Sequence, residues 1–274
     1  MTKKVLVMLS EFGFWGEELI GPLEVLDSQG YQIAFMTPKG KRPHALPPSM
    51  EAGYFDPPLK KVVTNEYYAQ KTREIDASCR LDNPIDLSSW FPVRPYFNDP
   101  NFGPELEAYH NAREQAWVAL EEYDALLMAG GSGPMIDMVN NQQLHDVILG
   151  FLSQGKLITA ECYAVTCLAF ARDWTERKSI IWGKHVTGHA VEYDYKDGTG
   201  VLGVDANFGP PFYPLEYILR DAVGPDGQFH GGVGHTRSTV LDYPFLCGRS
   251  TQDSRLVGEK MVEVLEGGLR RWGW

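Results

Sequence analysis

The stretch Lys156-Leu157-Ile158-Thr159-Ala160-Glu161-Cys162-Tyr163-Ala164-Val165-Thr166-Cys167-Leu168-Ala169-Phe170-Ala171 decides the fold class of this chain. Leu157 to Ala160 is a short apolar run of the kind buried in a parallel sheet. From Ala164 onward, small and apolar residues recur at helical spacing, at Cys167, Leu168 and Ala171. The change of period falls on Glu161-Cys162. A cysteine at a sharp strand-to-helix turn projects its sulfur at the open end of the sheet, and the amides of the following helix are expected to lower its pKa. That is the layout of a nucleophile elbow with cysteine in place of serine. The same context also suits a structural cysteine, since free cysteines are among the most buried residues.

Elements of the same kind lie on either side. Ala125-Leu126-Leu127-Met128 reads as a buried strand running into Ala129-Gly130-Gly131-Ser132-Gly133, with a helix around Gln142–Ser153 before the Cys162 strand. Near the N-terminus, Val5–Leu9 leads through Phe12 to Gly16 into a helix from about Glu17 to Ser28, closed by Gly30, and a strand at Tyr31–Met36 follows. This βαβ opening implies a parallel sheet with a right-handed crossover. Leu215, Ile218, Leu219 and Ala222 mark a later helix, and Val257, Met261, Val264 and Leu265 another; strands are expected near Ser238–Leu241 and Phe245–Cys247. The fold class is therefore α/β with a mostly parallel sheet. Between Pro38 and about Trp117 prolines cluster, aromatics are frequent and no period holds. The reading is one α/β domain over 1–274 with an ordered insertion at about 39–118, packed on the core as a lid or pocket wall.

Composition narrows the function. Lys and Arg total 25 against 36 Asp and Glu, a net charge of −11, which argues against a nucleic-acid surface and against docking to anionic membranes. No stretch approaches the roughly 18 apolar residues that span a bilayer. Lys3-Lys4 before Val5–Leu9 is too short an apolar run for a secretory signal. The four cysteines, Cys79, Cys162, Cys167 and Cys247, form no C-x-x-C pair, so a reducing, cytoplasmic setting is expected.

Three segments share the carboxyl edge of the sheet, where open α/β folds bind ligands: Phe12 to Glu18, the glycine turn, and the elbow. An amide of the glycine turn paired with that of Tyr163 makes a candidate oxyanion hole; a plain tight turn is the alternative. Glu17-Glu18 opens the first helix, where carboxylates ordinarily serve the helix dipole. One of them is also placed to reach the sulfur, its pKa raised by burial, and to hold or shuttle a proton. Phe14 and Trp15 either line a pocket beside Cys162 or pack in the core or lid.

Glu18-Leu19-Ile20-Gly21-Pro22, Ala129-Gly130-Gly131-Ser132-Gly133 and Glu161-Cys162-Tyr163-Ala164 resemble the DJ-1/PfpI superfamily, whose fold is that of class I glutamine amidotransferases. The large insertion, Val186-Thr187-Gly188, Pro211-Phe212, Leu215-Glu216 and Gly248-Arg249-Ser250-Thr251-Gln252-Asp253-Ser254 are similar to its heat-shock-protein-31 branch. The resemblance implies a flavodoxin-like three-layer sandwich, a homodimer, and a reactive Cys162 beside Glu18, with the Gly131 and Tyr163 amides as oxyanion donors and Gly130 beside them at the substrate. It implies no cofactor and no metal. The activities it brings are glyoxalase III-type conversion of small carbonyl compounds, deglycation, isocyanide hydration, peptidase activity and chaperoning.

One departure matters. Superfamily members with a Cys-His-acid triad carry histidine directly after the cysteine, where this chain has Tyr163. A substitute base is sought in Gly183-Lys184-His185-Val186-Thr187-Gly188-His189, with His189 as the candidate catalytic residue and His185 as a substrate-binding one. A surface or packed histidine is the alternative for both, and His230 and His235 are weaker candidates. The leading expectation is a cofactor-independent enzyme acting on a small electrophilic substrate, a carbonyl, acyl or isocyanide compound, through lyase, hydratase or hydrolase chemistry. The competing one is a stress-response holdase or a cysteine redox sensor. An amidotransferase subunit needs a late His-x-Glu dyad, and the sequence has only His189-Ala190-Val191-Glu192.

Overall fold

The computed structural model describes residues 2–56, 61–98, 100–190, 215–231 and 238–274. In chain order its strands are β1 (Lys4–Met8), β2 (Gln32–Thr37), β3 (Phe55–Asp56), β4 (Lys61–Val62), β5 (Ile85–Asp86), β6 (Ala125–Met128), β7 (Leu157–Glu161), β8 (His185–Val186), β9 (Gln228–Phe229), β10 (Thr239–Asp242), β11 (Phe245–Gly248) and β12 (Arg271–Trp272). The helices are α1 (Gly16–Ser28), α2 (Pro47–Met50), α3 (Glu66–Ala77), α4 (Leu87–Trp90), α5 (Phe102–Ala119), α6 (Pro134–Asp137), α7 (Gln142–Ser153), α8 (Thr166–Phe170), α9 (Leu215–Val223) and α10 (Ser254–Gly267).

The apolar runs form the centre of an eight-stranded sheet ordered β12-β10-β11-β7-β6-β1-β2-β5. From β11 to β5 neighbouring strands are parallel, and β10 and β12 extend the β11 edge antiparallel. Side-chain alternation divides the core into two layers. Leu6 and Met8 of β1 face the cluster built with Leu144, Val147, Ile148 and Phe151 of α7. Val5 and Val7 face the cluster built with Leu19, Leu23 and Leu26 of α1 and Val257, Met261 and Val264 of α10. Both flanks covered is what a parallel sheet requires, and this is the flavodoxin-like sandwich expected.

The chain leaves β1 toward β2 on one side and returns to β6 on the other, so the strand order reverses between β1 and β6, where ligands of such sheets bind. Met8 pairs in register with Met128, and Met128 with Ala160, which brings the carboxyl ends of β1, β6 and β7 level.

The segment 39–118 carries more regular structure than its sequence shows. It contains α2 to α5, the β3–β4 pair, and β5, which joins the main sheet beside β2. The periodicity is weak because α3 buries only Ala69, Thr72 and Ile75, a narrow stripe in a charged helix. In α5 the buried positions Tyr109, Arg113 and Ala116 include a charge, which hides the apolar face.

Candidate active site

Each of the three level strand ends delivers one part of the site. After β1, the backbone of Phe14 lies between His44 and Leu46, accepting from the Leu46 amide at 2.8 Å, and the Trp15 amide donates to the Gly130 carbonyl at 3.1 Å. This fixes the start of α1, and Glu18 in its first turn is drawn inside, 1% exposed. After β6, Gly130 and Gly131 pass so close beneath that a Cβ on Gly130 would lie 2.5 Å from Glu18 Oε2 and 2.8 Å from the Cβ of Cys162. Gly131 has φ +92°, a conformation that glycine adopts without strain. After β7, Cys162 itself sits at φ +53°, in the left-handed region that costs an ordinary residue about 1 kcal/mol or more. A strained cysteine of this kind, at the turn into a helix, is the elbow the sequence outlined.

The fourth part comes from the segment after β8. The His189 amide donates to the Cys162 carbonyl at 3.3 Å, its Nδ1 lies 3.6 Å from Cys162 Sγ, and its ring stacks on Tyr163 at 3.8 Å between centroids. The histidine missing from the position after the cysteine is therefore replaced in space by one from β8's extension. The aromatic ring at 163 serves as its platform.

The electrostatics differ from the expectation of a low-pKa thiol. Burial pushes the Cys162 thiol well above its ordinary value, and the Glu18 charge adds to this; the amides of Gly131 and Tyr163 pull the other way. Burial also raises the Glu18 carboxyl from 4.5 to about 8, opposed by its hydrogen bond with Cys162 and reinforced by Glu17 and Asp253. The helix contribution is small because Cys162–Val165 is a 3-10 turn and α8 runs only from Thr166 to Phe170. With both groups raised, chiefly by burial, the thiol and the carboxyl each keep a proton at neutral pH. The resting pair is thus protonated, with His189 Nδ1 3.6 Å from the sulfur.

The structure brings together Cys162, Glu18, His189, Gly130, Gly131 and Tyr163. It does not bring in His185, whose Nδ1 lies 2.8 Å from His230 Nε2 and whose ring stacks on Trp274 at 3.4 Å, with its amide donating to Asp242. Phe14 is fully buried in the α1 layer, so its side chain takes the core alternative, whereas Trp15 is half-buried and meets the edge of Tyr54. Val191-Glu192, Pro211-Phe212 and His235 lie outside the described residues. Two features escaped the sequence. Met135, Leu215 and Ile218 pack with Cys162 and Tyr163, giving the sulfur an apolar wall. Glu161 is fully buried behind the elbow, its carboxyl raised by burial and by Glu18. The only sequence hint was a carboxylate at the end of an otherwise apolar strand. Among the described residues no group of three or more His, Cys, Asp or Glu side chains is arranged to hold a metal ion. No described helix is long and apolar enough to cross a membrane.

Comparison with known proteins agrees with this architecture. A solved structure of a protein without a functional name aligns at TM-score 0.70 and 24% identity, covering 98% of this chain and 100% of that one. The rapid encystment protein of Francisella tularensis aligns at TM-score 0.66 and 20% identity, covering 96% and 99%. Glyoxalase III from Candida albicans aligns at 0.56 and 18% identity, covering 97% and 98%. These likenesses show the fold. A search of curated proteins returned no match. The family model described as ThiJ/PfpI family-like matches residues 9–197, spanning the Glu18 helix, the glycine turn, the elbow and His189. With its fold and most of its length matched, the chain belongs to the ThiJ/PfpI-like family of the DJ-1/PfpI superfamily.

Proposed function

We propose that this protein is a cofactor-independent enzyme in which Cys162 attacks the electrophilic carbon of a small carbonyl, acyl or isocyanide-type substrate. The observation that carries the reading is the position of Cys162 Sγ, on a strained elbow, 3.6 Å from His189 Nδ1 and hydrogen-bonded with the buried Glu18. For an aldehyde, the first step follows from these contacts. His189 Nδ1 takes the thiol proton as Sγ bonds to the carbonyl carbon. The C=O π electrons move to oxygen, which the amides of Gly131 and Tyr163 receive. Glu18, protonated at neutral pH, gives that oxygen its proton, and a tetrahedral hemithioacetal results. His189 is left protonated and Glu18 ionised, the pair needed to move a proton in a following isomerisation or hydration. Trp15 and Tyr54, with the Ala45-Leu46 segment against Phe14 and Gly131, suit the role of 39–118 as a pocket wall. A homodimer in a reducing cytoplasm remains part of this proposal.

Turnover of a panel of 2-oxoaldehydes, simple aldehydes, aryl isocyanides and activated esters by wild type and Cys162→Ala tests it. One class should be consumed by the wild type and lose at least about a hundredfold in the variant. Equal turnover by both proteins would remove Cys162 from the chemistry.

The holdase reading has one observation in its favour. Val93, Tyr96 and Phe97, in the 39–118 segment, are 69, 80 and 87% exposed. Suppression of client aggregation that is lost in Phe97→Ser but kept in Cys162→Ala would support it.

A further inference from the structure

On the far side of the sheet from α1, a second cluster of charged and aromatic side chains is built without any residue of the Cys162 site. Tyr109, Arg113 and Trp117 follow one face of α5, and Gln142 and Asp146 lie one turn apart on α7. Arg94 and Trp174 come from flanking segments. The Arg113 guanidinium lies 4.4 Å from the Trp117 ring, 5.3 Å from Trp174 and 5.7 Å from Tyr109. Arg94 lies 4.2 Å from Trp174 and 5.9 Å from Tyr109, and His110 meets the edge of Trp174 at 4.9 Å. Two guanidinium groups therefore share the same two rings.

Their charges are poorly matched. Asp146 is the carboxyl that both arginines influence, yet its Oδ2 is taken by the Tyr109 hydroxyl at 2.5 Å and by the Gln142 amide, and its Oδ1 has no hydrogen-bond partner. Arg94 reaches the Tyr109 hydroxyl. Arg113 is only 6% exposed, and its Nε and Nη1 have no hydrogen-bond partner. Unsatisfied donors on a buried cation carry a large desolvation cost. In a chain with eleven more acids than bases, two arginines that share the Tyr109 and Trp174 rings and form no ion pair among the described residues are the natural seat of an anion. Trp174, 38% exposed, adds a flat apolar platform beside them.

We propose that Arg94, Arg113 and Trp174 form a second, non-catalytic site for an organic oxyanion, a carboxylate or phosphate carried on a flat apolar body. The oxyanion pairs with the exposed Arg94 guanidinium in the fork geometry arginine favours, the buried Arg113 charge behind it adds to the attraction, and the body stacks on Trp174. The site is independent of the Cys162 chemistry.

Calorimetric titration of the full chain tests this with four probes: benzoate, phenyl phosphate, benzamide and inorganic phosphate. Benzoate or phenyl phosphate should bind saturably at millimolar concentration or below, and which of them binds more tightly separates a carboxylate source from a phosphate one. Benzamide, which has the body without the charge, and inorganic phosphate, which has the charge without the body, should each bind at least about tenfold more weakly. The exposed substitutions Arg94→Ala and Trp174→Leu should weaken the preferred anion by about tenfold with the fold kept by circular dichroism. Cys162→Ser should leave its binding unchanged. No saturable heat from either organic anion overturns the proposal, as does equal binding by wild type, Arg94→Ala and Trp174→Leu. In either case the arginines serve only to clamp Trp174 onto α5.

Discussion

Replacing Glu18 by glutamine keeps the shape of the side chain and removes its charge, and the expected product is a more stable and inactive protein. Burial holds the Glu18 proton until about pH 8, whereas an unfolded chain releases it near 4.5. Between those values the unfolded state binds fewer protons than the folded one, so wild-type stability falls as pH rises through this window. The interval from 4.5 to about 8 corresponds to roughly 5 kcal/mol. Glutamine must bury its own amide in the same place, which returns part of that, and a net gain of about 2 kcal/mol at pH 8 is expected. At a few degrees per kcal/mol, Tm should rise by roughly 4–8 °C. Thermal melts of both proteins at about pH 5 and about pH 8 provide the assay. Near pH 5 the wild-type carboxyl is already neutral and the two curves should lie close together; the gap should open toward pH 8. A gap that stays constant, or a variant less stable at the higher pH, would show that Glu18 is ionised in the folded protein and refute the claim that burial keeps it protonated.

Other outcomes follow from the same contacts. Above about pH 8 Glu18 ionises in the wild type, and removing that negative neighbour frees the Cys162 thiol from one of the causes that raise it. Iodoacetamide alkylation of Cys162 in Glu18→Gln should therefore exceed the wild-type rate by about tenfold there and match it closely at about pH 6, measured by peptide mass spectrometry. Gly130→Ala drives a methyl to 2.5 Å from Glu18 Oε2 and from the Glu161 carbonyl; urea melts should show a loss of about 1–3 kcal/mol. An unchanged midpoint would mean that the glycine turn does not pass beneath Glu18. His189→Asn retains the backbone bond to Cys162 but not the base; kcat should fall by about two to three orders of magnitude with little change in Tm.

The parallel core was legible because its strands are short and apolar on both faces. Ala125–Met128 and Gln142–Ser153 stand where their sequence places them. The elbow was legible for a related reason, since a change from strand to helix spacing at a single cysteine is a local signal. What could not be read is what converges from a distance. The shortness of α8, the burial of Cys162 itself and the Glu18 carboxyl beside it reverse the expected direction of the Cys162 pKa, and Glu161 is buried behind them. Burial is a property of neighbours, and Ser254 and Asp253, which lie with these carboxyls, are far away in the chain. His189 and His185 look equivalent in sequence, four residues apart, but one stacks on Tyr163 and the other on Trp274. In α5 the buried face carries Arg113 and Tyr109 where an apolar stripe would have announced a helix.

The central claim is that Cys162 Sγ forms a bond to the substrate carbon, and carbon-13 NMR reads that bond directly. With an aldehyde of the reactive class labelled at its carbonyl carbon and the Glu18→Gln protein, in which solvent instead of Glu18 protonates the new oxygen and the following proton transfer fails, a new tetrahedral carbon resonance bound to the protein is predicted, absent when Cys162→Ala is added to the same variant. An identical spectrum from both proteins, showing only free aldehyde and its hydrate while the wild type turns that aldehyde over, would contradict the account.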